Sequence, residues 1–283
     1  METLEPVRFD AYTATTCLLK PDEALELFNY AGMTRQSGRG FHTFAERVSV
    51  HDSSGDQVGS VSYGGRQGDR VMVEVKGYMT PTVVSSLRDA VPHRCTRVDA
   101  CADFERPAVF DELLDVVLAV KKEFNLYGER RGDWEMPQLG RTQTLGAKSS
   151  AVQARLYEKG KQPEYRHLLR PNLCRLEVEI RPAKDAKDTY SMLSPMQVWG
   201  ASKWTRRLAS DVLEQMLDPV PPGTVRRDSQ RDRALKWMCA QYGPHLVSLA
   251  ADLGSWACLG QTLQEMVSEE RDIKQRIKRG LGQ

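Results

Sequence analysis

Three short segments between Arg97 and Arg181 alternate apolar and charged residues strictly enough to dictate half-buried β-strands. They are Arg97-Val-Asp99-Ala-Cys101-Ala-Asp103-Phe104, Ala151-Val-Gln153-Ala-Arg155-Leu-Tyr157-Glu-Lys159 and Leu173-Cys-Arg175-Leu-Glu177-Val-Glu179-Ile-Arg181. Residues i, i+2 and i+4 of a strand share a face. One face therefore carries Arg97, Asp99, Cys101 and Asp103; a second carries Gln153, Arg155, Tyr157 and Lys159; a third carries Arg175, Glu177, Glu179 and Arg181. Pairing the three in one sheet gathers carboxylates, a phenol and cations on one surface, with apolar residues behind them.

The rest of the chain supplies elements to cover that apolar side. Residues 7–19 read as a strand, and Pro21 opens a short helix to about Tyr30. Gly38 and Gly40 mark a turn before a meander of strands at 41–51, 58–63 and 70–75. Helices are expected at 82–89 and 107–124, a charged turn at 129–133 and a strand at 138–145. From Ser194 the strand pattern stops. Helical spacing runs through Val198, Trp199, Leu208 and Val212, is broken at Pro219, and resumes at 231–242, 244–253 and from Leu259 onward. Trp199, Trp204, Trp237 and Trp256 read as core residues. The fold class that follows is α+β: a mostly antiparallel sheet with helices on one face, then an all-helical C-terminal module. The expected domains are 1–193 and 194–283.

Composition narrows the function. With 283 residues the chain can bury a substantial core. No run of about 18 apolar residues exists, so no membrane helix is expected. The start METLEPVRFD lacks a basic and an apolar leader region, and the six cysteines form no CxxC pair; both suit reduced thiols in a cytoplasm. Net charge is only +2, yet residues 141–181 hold nine Lys/Arg against four acids, a local attraction for phosphate.

Magnesium and manganese take oxygen ligands, commonly carboxylates with water and phosphate oxygens. Glu177 and Glu179 lie about 7 Å apart on one face and can converge; Asp99 and Asp103, about 13 Å apart, cannot both join them. Asp99 is preferred because Asp103 sits at its strand's end. Tyr157 is a phenol with an ordinary pKa near ~10. Cations such as Arg155 and Lys159 would favour its phenolate and make it a nucleophile. The same residues also read as a solvated sheet face, with the acids paired to Arg97, Arg175 and Arg181 and Tyr157 packing across strands.

The succession Arg97-Val-Asp99-Ala-Cys-Ala-Asp103, Thr142-Gln-Thr-Leu-Gly146-Ala-Lys148-Ser-Ser150, Arg155-Leu-Tyr157-Glu-Lys159 and Arg175-Leu-Glu177 resembles, in this order, the Rep_trans type of rolling-circle replication initiation factors of plasmids and filamentous phages. Two features depart from that pattern: Ala147 follows Gly146, so the cation is Lys148, and no second tyrosine stands near Tyr157 on its strand. The resemblance implies an origin-specific nicking and rejoining enzyme of a bacterial cytoplasm. Tyr157 would be the nucleophile, and Asp99, Glu177 and Glu179 would hold Mg2+ or Mn2+. Lys148, Arg155, Lys159, Lys161 and Arg175 would contact single-stranded DNA. Expected partners are single-stranded and duplex origin DNA, with a host helicase and a second copy of the chain as candidates. The helical module, with Arg206, Arg207, Arg226, Arg227, Arg231, Arg233 and a basic C-terminal end, would serve DNA recognition or oligomerisation. Two alternatives stay open: a non-catalytic DNA-binding replication or transcription regulator on the same scaffold, and a metal-dependent nuclease that uses water and leaves Tyr157 structural.

Overall fold

The computed structural model describes residues 3, 5–136, 138–223 and 230–280. Its first unit, residues 1–225, is built on one ten-stranded antiparallel sheet. In chain order the elements are β1 (Arg8–Thr16), α1 (Pro21–Glu26), β2 (Thr34–Arg39), β3 (Glu46–His51), β4 (Gln57–Tyr63), β5 (Val71–Lys76), α2 (Thr80–Ala90) and β6 (Arg94–Glu105). There follow α3 (Val109–Glu123), β7 (Gly128–Gly132), β8 (Arg141–Leu145), β9 (Val152–Tyr157), β10 (Leu173–Ile180), α4 (Ala186–Met192), α5 (Pro195–Val198) and α6 (Lys203–Leu213). The spatial order is β2-β3-β4-β5-β1-β6-β10-β9-β8-β7.

Alternation along each strand divides the sheet into two chemically distinct faces. Val98, Ala100, Ala102 and Phe104 of β6, Leu176, Val178 and Ile180 of β10, and Ala154 and Leu156 of β9 are buried in one apolar core. Helix α1 packs on β4, α2 on β1, α3 on β9, and α4 and α5 on β6. Leu113, Val117 and Val120 of α3 share that core with Trp199 and with Leu208 and Val212 of α6. The opposite face carries the charged residues that alternate with these.

Four expectations change. Strands β2 and β7, read as turns from sequence, are the two edges of the sheet. Their sequences, TRQSGR and GERRG, lack apolar alternation because an edge strand has little to bury and gains protection from charge. Helices α5 and α6, expected in the C-terminal module, contribute to the core of the first unit, so the helical unit spans 226–283. It consists of α7 (Gln230–Asp252) and α8 (Trp256–Gly280); α7 runs through Pro244, where two helices were expected. Trp199 is buried, whereas Trp237 and Trp256 are 64% and 60% exposed and are not core residues. Arg226 and Arg227 lie outside the described residues. Among the described residues no helix is long and apolar enough to cross a membrane.

Candidate active site

Strand register assembles the site. Glu179 pairs with Asp99 across β10 and β6, and Arg175 pairs with Asp103. On the other side of β10, Glu177 lies opposite Arg155 and Arg175 opposite Tyr157. Every one of these is an odd-numbered residue, so all point to the polar face. The turn from β8 to β9 requires Gly146: its φ is +86°, and a Cβ there would fall 2.6 Å from the carbonyl oxygen of Val152.

Asp99, Glu177 and Glu179 are brought together and are 1%, 2% and 5% exposed. Arg97 donates from Nε and Nη2 to the two oxygens of Asp99 at 2.9 and 2.5 Å, and from Nη2 to Glu179 Oε2 at 3.1 Å. Arg155 reaches all three acids with one nitrogen. Its Nη2 stands 2.5 Å from Glu177 Oε1, 3.5 Å from Asp99 Oδ2 and 3.7 Å from Glu179 Oε2. Arg181 Nη2 lies 2.5 Å from Glu179 Oε1, not aligned as a hydrogen bond. Burial and the neighbouring Glu177 push the Asp99 carboxyl well above the usual carboxylate range, even against Arg97.

The Tyr157 hydroxyl donates to Glu177 Oε2 at 3.3 Å. Burial, then the Glu177 charge, raise its pKa well above that of a free phenol. The expectation that Arg155 and Lys159 favour the phenolate is thus corrected: Arg155 is turned to the carboxylates, and Lys159 holds its ammonium 4.4 Å from the ring centre of Tyr165. Lys159 is itself buried, and burial followed by the nearby Arg175 lowers its pKa.

Beside this trio lies a second charge cluster. Arg175, 1% exposed, donates from Nε and Nη2 to Asp103 at 2.5 and 2.6 Å and from Nη1 to Asp10. Arg8 Nη2 adds a bond to Asp103 at 2.9 Å. Burial alone would raise the Asp103 carboxyl, but the bonds from Arg175 outweigh it and hold it at about 2. Arg175 and Lys159 were expected at DNA phosphates; both are instead buried within the protein, Arg175 among Asp103 and Asp10 and Lys159 against the Tyr165 ring. Lys161 ion-pairs with Glu158 at 2.7 Å. Lys148 is exposed in the β8–β9 turn. Asp10 had no sequence signal. A bulge in β1 between Phe9 and Ala11, opposite Ala100 and Asp99 of β6, makes it the extra residue, and its carboxylate meets Arg175 on the polar face.

A cavity of about 430 Å³ opens over Asp99 and Glu177, walled by Asp10, Thr13, Arg97, Arg131, Thr142 and Tyr157. Three buried carboxylates are the donor chemistry of a hard divalent cation. Among the described residues, however, no group of three or more His, Cys, Asp or Glu side chains is arranged to hold a metal ion. The Arg155 guanidinium occupies the space between the three acids. Its Nε is buried without a hydrogen bond, so only part of this guanidinium is held.

No protein-family model and no curated protein sequence matches the chain. The fold is similar to a solved structure described as "Structure of Rolling Circle Replication Initiator Protein from Geobacillus stearothermophilus", at 17% identity and a TM-score of 0.47, covering 69% of this chain and 83% of that one.

Proposed function

We propose that the protein is a rolling-circle replication initiator that nicks and rejoins single-stranded origin DNA through Tyr157. The observation that carries this reading is the bond from the Tyr157 hydroxyl to Glu177, beside two further buried carboxylates and beneath an open cleft. The ordered motifs around Asp99, Gly146, Tyr157 and Glu177 support it independently.

The raised phenol pKa means that Tyr157 enters the reaction protonated. Glu177 Oε2 is placed to take that proton as the phenol oxygen attacks the scissile phosphorus. The O–P bond forms, the bond from phosphorus to the 3′-oxygen breaks, and that oxygen leaves as a hydroxyl after taking a proton from water. The 5′-phosphotyrosyl product keeps the phosphodiester's energy, so attack by a 3′-hydroxyl reverses the step and returns the proton to Tyr157. Asp99, Glu177 and Glu179 would hold Mg2+ or Mn2+ once Arg155 withdraws; a bound ion would stabilise charge on the phosphate. Arg131 in the cavity wall and the exposed Lys148 of the β8–β9 turn would attract the strand. Residues 226–283 would serve DNA recognition or self-association.

The test is incubation of a labelled single-stranded origin oligonucleotide with Mg2+ or Mn2+, followed by denaturation. A covalent adduct present in the wild type and absent in Tyr157→Phe is expected. Cleavage without an adduct would instead indicate hydrolysis by water. A second reading, a DNA-binding regulator without catalysis, is favoured by one observation: Arg97 and Arg155 already compensate the three carboxylates. Binding with neither adduct nor cleavage would select it.

A further inference from the structure

We infer that a second cavity on the polar face, of about 560 Å³, binds one unstacked base of the single strand whose neighbouring phosphate lies at Tyr157. This rests on the DNA-processing reading above and adds a subsite to it. The cavity lies between the sheet and the loop of residues 40–45, and its size is that of a small-molecule site.

Its walls have the composition that a base and its phosphate require. Phe41 and Phe44 line it from the loop, Met72 from β5, and Arg70, Arg97 and Arg181 add positive charge. Phe41 is half-buried, and the guanidinium of Arg47 sits 4.9 Å from its ring centre. An aromatic side chain with a cation over one face can stack a base on the other, and the cations draw in its phosphate. A paired base in a duplex offers only its edge, so such a cavity selects single strands.

The two cavities are continuous in their walls. Thr13, Glu74 and Arg97 line both, and Arg97 is the residue that bonds Asp99 and Glu179. A strand crossing from one to the other follows the polar face past Arg97.

The loop is also held in a conformation that folding alone disfavours. His42 and Thr43 have φ of +51° and +70°, the latter strained for a β-branched residue. Gln67 fixes it by donating to the Thr43 hydroxyl at 2.7 Å and to the His42 carbonyl at 3.3 Å. Gly65 admits the loop: its φ is +70°, and a Cβ there would fall 2.6 Å from the Thr43 carbonyl oxygen. Strain over-determined by its surroundings in this way presents Phe41 and His42 at the cavity mouth.

The experiment uses the full chain and a 5-bromodeoxyuridine-substituted single strand of about 20 nucleotides. Ultraviolet crosslinking followed by trypsin and mass spectrometry is expected to label the peptide of residues 40–47 in the wild-type protein. In parallel, fluorescence anisotropy is expected to show about tenfold weaker single-strand binding for Phe41→Ala and near wild-type binding for Phe41→Tyr, with little change for duplex. Thermal melting of both variants controls for folding, and the crosslink needs no variant at all. If the strand binds but crosslinks elsewhere and Phe41→Ala binds it normally, the base subsite is overturned while the nicking reading stands. If no single strand binds, both fall together.

Discussion

The polar face carries two charge clusters on the same strands, one pleat apart, and they are built to opposite ends. Around Arg175, cations and anions match: Asp103 receives Arg175 and Arg8, and Asp10 takes the remaining Arg175 nitrogen. Around Asp99 three buried carboxylates crowd, and the cations that reach them come from the exposed side: Arg97, Arg155 and Arg181 are 36%, 38% and 46% exposed at the side chain. The carboxyl pKa values move in opposite directions accordingly, Asp103 down to about 2 and Asp99 up. Charge satisfied from within fixes a structure; carboxylates held by half-exposed arginines can exchange one of them for an added cation and offer a proton acceptor to the neighbouring phenol.

The largest test of this contrast is Arg175→Met. Removing Arg175 from this buried cluster leaves Asp103 with Arg8 alone and takes the Arg175 bond from Asp10, at a cost of about 3–5 kcal/mol. Melting should fall by roughly 10 °C for a unit of this size. An unchanged melting temperature would show that the Arg175 cluster is not the structural half of the pair.

A smaller effect separates the two aspartates. Asp103 is depressed in the folded protein, so its stabilisation is complete above the unfolded value of about 4 and is lost as pH falls through about 2. Asp103→Asn should therefore cost about 2 kcal/mol at pH 7. Asp99 is raised, so its contribution is most favourable below about 4 and worsens as pH rises toward the folded value. Asp99→Asn should accordingly leave stability at pH 7 unchanged or increase it. Denaturant titrations at pH 3, 5 and 7 distinguish the two, and equal losses at pH 7 would erase the contrast.

The smallest effect concerns the cation. Arg155→Ala should destabilise the protein in chelator and regain about 1–2 kcal/mol with millimolar Mn2+, which then takes the place of the guanidinium beside Glu177, with Asp99 and Glu179 still held by Arg97. The wild type should respond less, because Arg155 competes. Arg175→Met should show no such recovery. Thermal shift with and without chelator reads this apart from any activity, and an Arg155→Ala protein indifferent to Mn2+ would remove the ion from the trio.

Much of this site was legible before any fold was known. Period-two alternation in 97–104, 151–159 and 173–181 identified β6, β9 and β10 and their polar faces; spacing kept Asp99 and Asp103 from joining one ion, and the position of Asp103 at its strand's end made Asp99 the preferred candidate. The edge strands β2 and β7 were not legible, because their residues have no buried side to pattern. Asp10 was hidden for a different reason: a bulge shifts the phase of β1, and alternation read straight through it cannot tell on which side its carboxylate meets a partner. The boundary at 225 escaped notice because α5 and α6 have the same helical periodicity whether they cover a sheet or stand apart.

The amino-acid sequence by itself determined which side chains share a face, since that follows from the pleat of a single strand. It also determined that this face would be rich in both acids and cations. Only the tertiary structure decided which charges meet, because pairing depends on the register between strands distant in sequence. That register set Glu179 opposite Asp99, turned Arg155 onto three carboxylates, buried Arg175 among its own acids, and left Tyr157 bonded to Glu177 beneath the open cleft.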